Sequence, residues 1–113
     1  MLTSGDVVDL DLGSPRGREA GLRRTVVVVT AQEILDESAS AVQVIPLTST
    51  VRPFGSEVDI PADENNGLEV DSSAQCQHVR SVFVDRVASV RGNVGAAVLS
   101  EIRAVLGLIL EID

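Results

Sequence analysis

Four consecutive valines, Val26–Val29, constrain this chain more than any other feature. Odd and even positions of the run are both apolar and β-branched, so a strand built from residues 24–30 must be covered on both faces. Upstream, Val7, Val8, Leu10 and Leu12 alternate loosely over residues 5–12 and predict a first strand, broken by Gly13-Ser14-Pro15-Arg16-Gly17. Downstream, Ala31–Glu37 has room for one short helical turn. A β-branched strand follows at 41–48, ending Leu47-Thr48-Ser49-Thr50, and a turn through Arg52-Pro53 leads to a short strand at 56–60. Asp63-Glu64-Asn65-Asn66-Gly67 is a polar turn in which glycine suits a positive φ. Residues 73–79 and 86–90 are further strand candidates. In the tail, Val94, Val98, Leu99, Ile102, Val105, Leu106 and Ile109 recur at three- and four-residue intervals, predicting an amphipathic helix over 96–110. Gly107 weakens that helix by about 1 kcal/mol relative to alanine. Short strands plus one terminal helix predict a mainly β (α+β) fold, a small SH3-like curled sheet or barrel capped by the helix, with residues 1–113 forming one domain.

At 113 residues, such a domain has a high surface-to-volume ratio, and a partner or dimer interface would add stability. The only aromatics are Phe54 and Phe83, so the core must come from Val, Leu, Ile and Ala, and the usual stacking platforms for single-stranded bases are missing. No run approaches the roughly 20 apolar residues of a membrane span. Asp6, Asp9 and Asp11 stand where a signal peptide would carry basic and then apolar residues. A lone Cys76 excludes an internal disulfide and suits a reducing cytoplasm, the expected compartment. Cys76 and His78 are too few for a closed zinc site, and no HExxH or paired CxxC is present, so neither metal nor cofactor is expected.

The net charge of −8 argues against nucleic acid, because phosphate contacts come from cations. The distribution points the other way. All nine cationic side chains are arginine, and Arg16, Arg18, Arg23 and Arg24 fall between Gly13 and Arg24, opposed only by Glu19. Arg52 is a further candidate. Arginine alone suits bidentate recognition of phosphate or carboxylate. A merely solvated loop is the alternative at this level.

An ordered set of motifs resembles the MazF/PemK toxins. Gly5-Asp6-Val7-Val8-Asp9-Leu10-Asp11-Leu12 is similar to that family's first strand, and Gly17-Arg18-Glu19 to its Gly-x-Glu. Arg24-Thr25-Val26-Val27-Val28 resembles its Arg-Pro-x-Val-Val, with Thr25 in place of the proline. Val44-Ile45-Pro46-Leu47-Thr48-Ser49 resembles the strand ending Pro-x-Thr-Ser, and Phe54 to Val58 the next short strand. Gly67 to Ala74 resembles Gly-x-x-x-Asp-Ser. Gln77-His78-Val79-Arg80-Ser81-Val82 resembles Gln-Ile-Arg-Ser-Ile, with His78 in place of a common glutamine. Gly92 to Leu110 matches the family's closing helix.

The resemblance implies a CcdB/Kid/MazF-like fold and a metal-independent endoribonuclease that cuts single-stranded RNA. The substrate's own 2′-hydroxyl attacks, leaving a 2′,3′-cyclic phosphate and a free 5′-hydroxyl, so no Ser-His-Asp or Cys-His set is needed. Arg24 and Thr48 are then the catalytic donors to the phosphate. Thr48 has the alternative of hydrogen-bonding its own turn. Glu19 either orders Arg24, accepts the 2′-hydroxyl proton, or balances Arg18 or Arg23. Arg16, Arg18, Arg23, Ser49, His78 and Arg80 are candidate RNA contacts. His78 also reads as a hydrogen-bonded structural group, and Cys76 as a small core residue. The implied partners are RNA, a second copy of the chain in a homodimer, and a cognate MazE-like antitoxin whose acidic segment covers the RNA groove. Three alternatives are a CcdB-like gyrase poison, disfavoured by the lack of a Trp near the chain end, a catalytically degenerate module of the same fold, and an unrelated SH3-like structural domain.

Overall fold

In a computed structural model, which describes residues 1–13 and 23–112, the valine run lies in the middle of a seven-stranded antiparallel sheet. The chain runs through β1 (Asp6–Asp11), β2 (Arg23–Val28), one helical turn α1 (Gln32–Leu35), β3 (Ala41–Thr48) and β4 (Glu57–Ile60). It continues through β5 (Ser72–Gln75), β6 (Arg80–Phe83), β7 (Val87–Asn93) and the helix α2 (Gly95–Leu110). The sheet order is β4-β5-β3-β2-β1-β7, with β6 also on β3. Because β3 is long, it serves several neighbours: Val44–Pro46 pair with β2, Ala41–Val44 with β6, and Leu47–Thr48 with β5. The path stays open from β4 to β7 among the described residues, so of the two expected forms this is the curled sheet.

The two-faced burial expected of the valines is realised. Val27 joins Val7, Ile45, Ile60, Leu99 and Ile102 in one core cluster, on the α2 side. Val26 and Val28 join Val8, Leu10, Val42 and Val44 in the other, which α1 covers through Leu35. Neither cluster holds an aromatic ring: Phe54 and Phe83 are 50% and 65% exposed.

Three expectations need correction. Residues 73–79 are not one strand; β5 stops at Gln75 and a 3-10 turn, Cys76–His78, follows, with Cys76 N–H bonded to the Ser56 carbonyl at 3.1 Å. This turn frees the next residues to start β6, which the sequence reading lacked. The strand expected at 86–90 runs from Val87 to Asn93, taking in Arg91. In α2 the apolar stripe holds as far as Leu106, but Ile109 is exposed. Gly107 is more than a weak point there: a Cβ would stand 3.1 Å from the Ile112 carbonyl, where the chain folds back over the helix end.

Candidate active site

Arg24 projects beside a depression of about 290 Å³ that also takes in Leu12, Pro46, Gln75, His78 and Arg80. Strand geometry explains the grouping. Arg24 pairs with Leu10 and lies two residues before Val26, so its side chain leaves on the Val26 face, at the point where the valine cover ends and solvent begins. The 3-10 turn delivers His78, and β6 delivers Arg80. Arg23 is exposed opposite Asp11 on the other face of β2.

Thr48 and Ser49 line a second depression, about 230 Å³, with Thr25, Glu69 and Arg91. Leu47 lines both depressions. The β2–β3 ladder ends at Val26↔Pro46, and two residues farther along the two strands stand Arg24 and Thr48. The Thr48 hydroxyl accepts a hydrogen bond from Thr50 N–H at 3.1 Å, so the turn contact foreseen as an alternative is present. That contact uses a lone pair and leaves the hydroxyl proton available for donation. Arg16, Arg18 and Glu19 lie outside the described residues.

One polar network borders the Thr48 depression and a second lies at a separate depression lined by Arg52 and Glu57; neither is apparent in the sequence. In the first, Asp9 receives Thr25 Oγ1 at 2.8 Å, Ser89 Oγ at 3.1 Å and Arg91 Nε at 3.0 and 2.9 Å. Burial raises the Asp9 pKa, but these hydrogen bonds and the Arg91 charge outweigh it and hold the carboxyl below its ordinary value. Thr25, the residue standing in the motif's proline position, thus supplies a hydroxyl that proline lacks. In the second network, the fully buried Glu57 carboxylate pairs with Arg52 and takes Gln77 Nε2 at 2.7 Å. Burial again pushes upward, yet the bonds from Gln77 and Arg52 together with the Arg52 charge keep Glu57 ionised below the usual range. Glu57 thereby ties the loop after Thr48 to the turn that bears His78. The Arg52 guanidinium also lies 4.5 Å from the centre of the Phe54 ring. Only Arg52 was legible beforehand, as an arginine after the Thr48 motif; the networks depend on register between distant strands.

A curled antiparallel sheet with one terminal helix, and an arginine and a threonine at neighbouring strand ends, is the arrangement of a small toxin class. The chain belongs to the PemK-like, MazF-like toxins of type II toxin–antitoxin systems, whose family profile matches residues 3–110. Among individual relatives, endoribonuclease MazF9 of Mycobacterium tuberculosis is 28% identical, covering 99% of this chain and 98% of its own. A MazF crystal structure from Deinococcus radiodurans is 29% identical, with a TM-score of 0.73 over 96% of this chain and 94% of that one. An endoribonuclease solved in complex with its cognate antitoxin, from a mycobacterial species, has the same fold, with a TM-score of 0.79 at 18% identity and coverage of 100% and 98%. The family match favours the toxin reading over a gyrase poison or an unrelated structural domain.

Proposed function

We propose that this MazF-type endoribonuclease toxin cuts single-stranded RNA by in-line attack of the substrate's 2′-hydroxyl, with Arg24 and Thr48 gripping the scissile phosphate. The observation that carries the reading is the β2–β3 register, which ends at Val26↔Pro46 and sets Arg24 and Thr48 at neighbouring strand ends, each lining a depression. In the reaction the 2′-oxygen bonds to phosphorus, the bond from phosphorus to the 5′-oxygen breaks, and the 2′ proton leaves while the 5′-oxygen gains one. The protein must supply orientation and charge stabilisation. Arg24 donates parallel hydrogen bonds to the phosphate oxygens, and its charge is permanent. Thr48 donates its hydroxyl to the same group. Ser49, His78 and Arg80, with Arg16, Arg18 and Arg23, hold the flanking strand, while Glu19 orders Arg24 or takes the 2′ proton.

The whole chain acts as one domain in the cytoplasm, as a homodimer that halts translation until an antitoxin covers the groove. Support comes from the family profile spanning nearly the full length and from the solved neighbours complexed with their antitoxins. Acidic antitoxin carboxylates would occupy the positions of RNA phosphates.

Arg24→Ala and Thr48→Ala are each expected to lower cleavage of labelled single-stranded RNA about 10²-fold, the cost of ~3 kcal/mol for one lost transition-state donor. Circular dichroism and mass by light scattering should stay unchanged. Full activity in purified Arg24→Ala protein would overturn the mechanism.

A further inference from the structure

We propose that Arg91 is a second phosphate-binding guanidinium of the RNA cleft, lining the Thr48–Ser49 depression and holding a phosphate next to the one that is cut. The inference rests on the RNA-cleaving reading above. Arg91 shares its depression with Thr48 and Ser49, although it comes from β7, on the far side of β1 and β2 from β3. It is engaged from the side: Nε donates to both oxygens of Asp9, at 3.0 and 2.9 Å. Asp9 is itself held by Thr25 at 2.8 Å and Ser89 at 3.1 Å, so the acceptor that orients Arg91 is anchored from two strands.

A guanidinium carries five N–H donors. This attachment occupies only the inner one, and among the described residues the terminal Nη1 and Nη2 make no hydrogen bond. Those two amino groups form the edge that recognises a phosphate bidentately.

The root of the side chain is also fixed. The turn at Asn65–Gly67 packs on the backbone of Arg91 and Gly92 so closely that a Cβ on Gly67 or Gly92 would overlap a carbonyl oxygen. Asn93 N–H seals the contact by bonding the Asn65 carbonyl at 2.8 Å. Glu69 lines the same depression and its charge opposes an anion, so binding there depends on the free donor edge of Arg91. A cation aimed into this cleft, oriented by a carboxylate and open at its donor edge, is a pre-organised anion site.

The test uses Arg91→Gln, whose amide can still donate to Asp9, and a fully 2′-O-methylated RNA strand, which keeps the phosphates and lacks the nucleophile. Loss of one phosphate contact on a single strand should make the slope of log K against log[salt] shallower by about 0.7. Arg91→Lys should restore the slope, because the charge returns. Cleavage of ordinary RNA by Arg91→Gln should show a raised KM with little change in kcat, since a flanking phosphate is bound equally before and during the chemical step. An unchanged slope in Arg91→Gln, or no binding of the methylated strand by the wild-type protein, overturns the proposal. Failure of the nuclease reading is separate: it appears as wild-type protein that leaves ordinary RNA intact.

Discussion

Cys76 illustrates how burial sets the chemistry of a single residue. Its side chain is fully enclosed in the α2-side core, and its Sγ lies 3.7 Å from the Ala74 carbonyl. Burial pushes the thiol up to about 11, so essentially no thiolate exists at neutral pH. Native protein is expected to resist maleimide at pH 7.5 and to react fully once unfolded in urea; mass spectrometry of the labelled fraction checks this. Arg24, Thr48 and Arg80 were legible in the sequence because strand-end motifs carry them. His78 was legible as a residue but misplaced on a strand. Arg91 was invisible, because its orientation depends on Asp9, 82 positions away in sequence.

At the scale of elements, β7 is placed by close backbone approach. Between β1 and β7 the register shifts twice, near Val7/Val8 and near Asp9/Leu10, and Gly92 lies under the Asn65 carbonyl at the first of these shifts. Gly92→Ala puts a methyl group into backbone rather than against a flexible side chain, and should destabilise the fold by about 3 kcal/mol. Gly55→Ala, where an added Cβ meets nothing within 4 Å, is the control and should be near neutral. Urea midpoints of the two variants make the comparison. The β5–β6 region was misread for a related reason: residues 73–79 look continuous, but the Ser56 contact turns the chain at Cys76.

Across the whole molecule, two carboxylates couple the fold to pH. Asp9 and Glu57 are both held below their ordinary values of 3.8 and 4.5, so the folded state binds fewer protons than the unfolded chain in that range. Their stabilisation is complete above those ordinary values and is lost as pH falls through them toward the lower folded-state values. The urea midpoint should therefore drop as pH is lowered from 5 to 3, and Glu57→Gln should flatten that decline while lowering stability at pH 7. An equally steep decline in Glu57→Gln would show that Glu57 is not responsible. The network has three buried atoms without partners, Arg52 Nε, Glu57 Oε1 and Gln77 Oε1, which makes it sensitive to any change in its members.

By itself the sequence determined the strand-rich class, the two-sided cover over the valine run and the terminal helix, because apolar periodicity is a local property. It also identified the motif arginine and threonine, whose residue types and order along the chain require no coordinates. The tertiary structure alone decided which strands border β3, which face each arginine leaves from, and how Asp9, Thr25 and Arg91 meet. Those outcomes follow from register, bulges and backbone contacts between residues far apart in the chain, which no local pattern encodes.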